Sequence, residues 1–150
     1  MIAAIARSDT GMPLTVEQVR TEMVEAIKAA APSYGVFRAA RLNLYTDDPA
    51  ADESWKQAVA PLQHTPAAKE RAVPQFQVRG TSDRLVRHED AQEFIDALVQ
   101  AGQRAEYIQV GGAGHAFFDW KPDEQTRATF AKYGVYYAAA MKAFFDSVLY

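Results

Sequence analysis

The chain has 150 residues, of which 49% are hydrophobic and 23% are charged, a balance typical of one soluble globular domain. Acidic and basic residues are interspersed and the formal net charge is −3, so the sequence lacks the basic stripe that binds phosphate backbones, and nucleic acid is not an expected partner. The absence of cysteine excludes disulfide bonds and thiolate metal sites.

The N-terminal stretch, residues 1–6, is apolar, and we predict a short helical piece over residues 1–7. Arg7 and Asp9 follow this stretch too soon for a signal peptide or a membrane span. No membrane association is therefore expected. The compartment stays open, with a soluble chain in the cytoplasm favoured.

An amphipathic helix is predicted from Thr15 to about Ala31. Thr15 and Gln18 have the spacing of a capping box, and apolar residues then recur at helical intervals until Pro32 ends the pattern. The following residues, 36–72, include an acidic, proline-containing segment with no clear period. We predict that they form a lid or a long connection within the domain.

The C-terminal half alternates strand and helix patterns. A short alternating strand is predicted over residues 75–78, and a helix with one apolar face over residues 89–101. A second strand, residues 106–110, ends in a glycine-rich turn, and residues 133–150 have the spacing of a C-terminal helix. This order predicts an α/β fold with parallel strands and right-handed crossovers.

Two polar side chains follow the predicted strands at the point where each strand ends. Reactive groups of open parallel sheets collect in such loops, and Asp83 follows the first strand as His115 follows the second. Alone, Asp83 is typical of an aspartate that binds turn amides, and His115 alone fits a structural and a functional histidine equally well. Because one helix separates the strands, they should be neighbours and bring Asp83 against His115. A carboxylate that orients an imidazole is typical of general-base catalysis, so we predict both as catalytic residues.

The residues from Pro74 to Phe118 resemble the C-terminal portion of the α/β-hydrolase family, in its esterase, dienelactone-hydrolase-like and prolyl-oligopeptidase-like branches. The shared motifs are a Gly-Thr-x-Asp turn at residues 80–83 and a Gly-x-Gly-His-x-Phe turn at residues 112–117. The resemblance implies an incomplete α/β-hydrolase sheet, with Asp83 as the acid and His115 as the base of a Ser-His-Asp triad. It also implies a small-molecule ester as substrate, and the prolyl-oligopeptidase branch would imply a peptidase instead.

The nucleophile of such a triad is the part that the sequence does not provide. The family carries its serine in a GxSxG elbow between a strand and a helix, and no GxSxG occurs here. The nearest string, residues 31–35, places Ser33 after a predicted helix, which disfavours Ser33 as nucleophile. Residues 1–6 are similar to the helix that follows the serine in the family. We therefore interpret residues 1–150 as a single domain truncated just after its elbow.

Other residues near the motifs have simpler interpretations. Phe117, Phe118 and Trp120 are candidates to line a substrate pocket, although aromatic residues after a turn more often pack in a core. His64 and His88 have no partner motif and are predicted at the surface. Because the histidines are scattered, no metal site is predicted, and no cofactor is expected.

Two classes of function follow from these observations. In the first, the chain belongs to a serine hydrolase of carboxylic esters whose nucleophile lies outside it, and the chain by itself is catalytically weak. In the second, the chain is a non-enzymatic remnant or interaction domain. An open sheet edge favours pairing, so we expect a homo-oligomer or a complementing N-terminal half.

Overall fold

The computed structural model of the protein describes residue 15, residues 26–38 and residues 53–150. The helix predicted over residues 1–7 and residues 39–52 of the predicted connection lie outside the described residues. None of the helices in the described ranges is long and apolar enough to cross a membrane.

Strands and helices alternate in the C-terminal half, as the sequence predicts. The elements are α1 (Glu53–Val59), a 3₁₀-helix (Pro61–His64), β1 (Gln75–Gly80), α2 (His88–Gln100), β2 (Ala105–Val110), α3 (Glu124–Thr129), a π-helical turn (Phe130–Gly134) and α4 (Val135–Leu149). Residues 53–64 of the predicted connection are thus largely helical. The C-terminal helix begins earlier than predicted, because α3 and the π-helical turn extend it back to Glu124.

The two strands pair in parallel. Their register runs from Gln75 opposite Ala105 to Gly80 opposite Val110, and α2 connects them. Both strands therefore end at the same edge of the sheet, and the loops that follow them start side by side.

Residues 16–25 of the helix predicted over residues 15–31 lie outside the described residues, and the prediction is wrong at its C-terminal end. Residues 30–33 are not helical and lie parallel to β1 instead. The Ala30 N–H donates to the Pro74 carbonyl and the Ala30 carbonyl accepts from the Phe76 N–H, both at 2.9 Å. Buried backbone groups on this edge of β1 require partners, and this requirement outweighs the helix propensity of the alanines.

Hydrophobic side chains cover both faces of the strand pair. The cluster beneath α4 includes Phe76, Val78, Val110, Phe117, Tyr137 and Phe144. The cluster beneath α2 includes Phe37, Ala91, Phe94, Ile95 and Leu98. The rings of Phe37 and Phe94 stack with centroids 4.3 Å apart, so the segment that precedes α1 is part of this second core. A parallel sheet packed on both faces is a rigid base for the loops at its edge.

Candidate active site

The two predicted site residues meet at the carboxyl end of the sheet. Asp83 lies in the acid loop, residues 81–87, and His115 lies in the histidine turn, residues 111–119. His115 Nδ1 is 2.9 Å from Asp83 Oδ2. The side chain of Asp83 is 0% exposed and that of His115 is 30% exposed. The imidazole thus contacts a buried carboxylate at one nitrogen and is partly open to solvent.

The second nitrogen of the imidazole is free within the described ranges. A carboxylate accepts, so Nδ1 donates to Asp83 and the neutral ring keeps its lone pair on Nε2. Among the described residues, Nε2 has no hydrogen-bond partner. This nitrogen is the one that can take a proton from a reacting hydroxyl.

Hydrogen bonds keep the Asp83 carboxylate ionised. Its Oδ1 accepts from the N–H of Leu85 at 2.8 Å and from the N–H of Val86 at 2.9 Å. Burial by itself raises the pKa of Asp83, but the Val86 amide, the His115 ring and the Leu85 amide together outweigh it. The pKa of Asp83 therefore lies below its ordinary value. A charged carboxylate at neutral pH is what orients and stabilises an imidazolium.

A buried arginine at the end of β1, Arg79, donates hydrogen bonds to the backbone of the acid loop. Arg79 is 8% exposed. Its Nε donates to the Val86 carbonyl at 2.6 Å and its Nη2 to the Asp83 carbonyl at 2.9 Å, while Nη1 donates to Gln109 Oε1 at 3.3 Å. Sequence reasoning did not assign Arg79 a role. The available signal was a charged residue inside a strand that is otherwise buried, which is rare without a specific partner.

A glycine joins the acid loop to the histidine turn. A Cβ at Gly80 would lie 2.2 Å from the Ala113 carbonyl oxygen, so the two backbones approach closer than any side chain allows. The Ser82 N–H donates to the same oxygen at 2.9 Å, and Gly112 N–H donates to Thr81 Oγ1 at 2.8 Å. These contacts bring the loop tips together and place Asp83 beside His115.

Ser33 makes no hydrogen bond to His115. Its hydroxyl donates to the Tyr137 hydroxyl at 2.9 Å, and Tyr137, which is 0% exposed, donates in turn to the Ala31 carbonyl at 3.4 Å. Ser33 is therefore part of a hydrogen-bonded chain in the core. The interpretation that disfavours Ser33 as nucleophile agrees with this position.

The aromatic residues after His115 differ in exposure. Phe117 is 0% exposed and belongs to the core, so it does not line an open pocket. Phe118 packs edge-on against Tyr137 and stacks on Phe130. Trp120 is 64% exposed and stays a candidate for the rim of the site.

The remaining histidines lie away from the pair. His64 is exposed and its Nε2 contacts the Ala58 carbonyl at 2.6 Å. His88 is half-buried rather than free at the surface, because it stacks on Tyr107 with Nδ1 3.2 Å from the phenol oxygen. In the described part of the chain, no group of three or more histidine, aspartate and glutamate side chains could hold a metal ion.

Solved structures of an esterase share the fold of this chain. Esterase 2 of Thermogutta terrifontis, phosphoramylated by tabun, is 24% identical over 81% of this chain and 41% of its own, with a TM-score of 0.56. The propionate-bound form of that esterase is 23% identical over 81% of this chain and 43% of its own, also with a TM-score of 0.56. The butyrate-bound form is 23% identical over 81% and 44%, with a TM-score of 0.55.

This chain spans about two fifths of the length of those esterase structures. No protein-family model matches the sequence, and no curated protein matches it. The solved structures are α/β-hydrolases, which confirms the predicted fold class as a partial α/β-hydrolase fold.

Proposed function

We propose that this chain supplies the acid and the base of a serine hydrolase of carboxylic esters. The proposal starts from its partial α/β-hydrolase fold. The observation that carries the proposal is the 2.9 Å contact between His115 Nδ1 and the buried Asp83 carboxylate. In this role Asp83 is the acid, His115 is the base, and the serine comes from outside the described residues.

The base acts twice in each turnover. His115 Nε2 takes the serine proton as the serine oxygen attacks the ester carbonyl, and the imidazolium then gives this proton to the departing alcohol oxygen. An acyl-enzyme remains. His115 next takes a proton from the water that attacks the acyl carbonyl, and returns this proton to the serine oxygen as the acyl–serine bond breaks and the carboxylic acid leaves. Asp83 stabilises the imidazolium in both steps and does not accept the proton, in keeping with its lowered pKa.

The choice of short-chain esters rests on the fold likeness. The Thermogutta esterase is phosphoramylated by tabun in one structure, and it holds propionate and butyrate in two others. We therefore propose esters of short carboxylic acids as substrates of the protein to which this chain contributes.

The test measures hydrolysis of p-nitrophenyl butyrate and labelling by a fluorophosphonate probe. Both are measured on the full natural protein to which this chain contributes. His115→Ala should lower kcat/KM by about 10⁶-fold and abolish labelling, since the serine loses its base. His64→Ala is the matched control and should change neither, because His64 is exposed and contacts the Ala58 carbonyl rather than a carboxylate.

Two outcomes would contradict the proposal. One is a protein that neither hydrolyses the ester nor labels, as a non-enzymatic interaction domain would behave. The other is equal activity of wild type and His115→Ala. The isolated 150-residue chain should be weak in both assays, because the described residues place no hydroxyl at His115 Nε2.

A further inference from the structure

The contact with Asp83 restrains the His115 ring at one nitrogen. A single hydrogen bond between Nδ1 and Oδ2 still permits the imidazole to rock about the line that joins the two atoms. Because the ring is 30% exposed, the surrounding protein does not enclose it. A catalytic base must be held to within about 0.5 Å and 10–20° of its working geometry, so a second contact on the ring is required.

Tyr34 makes that second contact. Its ring centroid lies 5.0 Å from that of His115, with the planes tilted by 56°. The same tyrosine touches two further residues of the histidine turn. Its ring meets Phe117 edge-on at 5.6 Å, and its hydroxyl donates to Asp119 Oδ1 at 3.1 Å. One side chain thus contacts the histidine turn at three alternate positions.

Tyr34 is itself held firmly at the edge of the sheet. Its backbone N–H donates to the Val78 carbonyl at 2.9 Å, which ties it to β1. Its φ is 42°, in the left-handed region that bulky side chains rarely adopt. Backbone of this kind persists only where surrounding contacts enforce it, and such residues cluster at functional sites.

The hydroxyl of Tyr34 remains a donor over the whole working range of pH. Burial and the bond to Asp119 both raise the pKa of Tyr34 above its ordinary value. The Tyr34 hydroxyl therefore keeps the proton that it donates to Asp119 at neutral and mildly alkaline pH.

We propose that Tyr34 is a positioning residue that fixes the orientation of the His115 imidazole, so that Nε2 faces the position of the nucleophile. The inference rests on the proposed function, because a fixed imidazole matters for turnover only if His115 is the base. Tyr34 is remote from His115 in sequence, and no motif marks it.

The test is the exchange of the His115 Nδ1 proton with solvent, measured by ¹⁵N NMR of the histidine rings in the 150-residue chain. Tyr34→Ala removes both the ring contact and the bond to Asp119, and should speed exchange about two- to tenfold, the range for loss of one aromatic pair. Tyr34→Phe keeps the ring and should give a smaller increase. Tyr136→Ala is the matched control, since Tyr136 is 64% exposed on α4, and should leave the rate unchanged.

A rate unchanged in Tyr34→Ala would overturn the proposal. Should that variant fail to fold, Tyr34→Phe decides, and a rate equal to wild type overturns it. The ring signals of His88 should stay constant in Tyr34→Ala and Tyr34→Phe. A shift of these signals would indicate a general loosening of the fold, and this outcome would also overturn the positioning role.

Turnover separates this proposal from the proposed function. In the active protein, Tyr34→Ala should lower kcat and leave KM nearly unchanged, because the contact acts on the base. If His115→Ala has no effect on hydrolysis while Tyr34→Ala speeds proton exchange, the proposed function fails and the contact stands. If His115→Ala abolishes hydrolysis while Tyr34→Ala changes neither exchange nor kcat, the positioning role alone fails.

Discussion

The acid loop and the histidine turn lie side by side, yet different kinds of contact hold their functional side chains. Asp83 is fixed by partners close in sequence, namely the amides of Leu85 and Val86, while Arg79 holds the carbonyls of the same loop. His115 is fixed by Asp83 and Tyr34, both remote along the chain. The acid loop is therefore a local structure, whereas the orientation of the imidazole is a tertiary one.

This difference predicts which changes damage one side and which damage both. A change that touches the buried part of the acid loop should act first on stability, because Asp83 and Val86 are buried and hydrogen-bonded. A change at the contact between the acid loop and the histidine turn should have the largest effect, since both loops depend on the close approach of Gly80 to the Ala113 carbonyl.

Gly80→Ala disrupts the contact between the acid loop and the histidine turn. The added Cβ would lie 2.2 Å from the Ala113 carbonyl oxygen, and we expect the free energy of unfolding to fall by about 3 kcal/mol. Gly111→Ala is the matched control, because a Cβ there meets nothing within 4 Å, and it should cost less than about 0.5 kcal/mol. Urea denaturation measures both. Equal losses of unfolding free energy in the two variants would contradict a close backbone contact at Gly80.

The acid loop alone is loosened by Arg79→Met. The change leaves the carbonyls of Asp83 and Val86 without their buried donor, and we expect a loss of about 2 kcal/mol in the free energy of unfolding. Arg104→Met is the control. The exposed Arg104 guanidinium pairs with Glu106 at 2.8 Å, donates to Ser147 Oγ at 2.7 Å and lies 5.6 Å from the Phe144 ring centroid, so its loss should cost about 1 kcal/mol. A smaller loss for Arg79→Met than for Arg104→Met would contradict the assigned role.

The smallest expected effect is a dependence of stability on pH that comes from Asp83. Its pKa is lower in the folded than in the unfolded chain, so its contribution is complete above the unfolded pKa and is lost as the pH falls through the folded one. Between about pH 5 and about pH 2, wild type should therefore lose more unfolding free energy than Asp83→Asn. His115→Ala should keep part of the dependence, because the bonds from Leu85 and Val86 remain. Identical acid profiles for wild type and Asp83→Asn would contradict this origin.

Secondary structure was predicted well where the hydrophobic period of a segment agrees with the turn residues at its ends. Alternation over residues 75–78 and the apolar face of residues 89–101 give β1 and α2 their type and order. Residues 30 and 31 were predicted as the end of a helix, because their alanines extend a helical pattern. Their pairing with β1 depends on hydrogen bonds that a remote strand supplies, and local sequence carries no signal of such a partner.

The sequence by itself determined the two loops and the contact between Asp83 and His115. Parallel strands joined by one helix must end at the same edge, so the position of each residue in its own turn was sufficient to bring the pair together. Only the tertiary structure decided that Arg79 holds the acid loop and that Tyr34 packs on the imidazole. The physical reason is that a turn depends on neighbouring residues, whereas side-chain burial and ring packing depend on which remote segments the fold places against them.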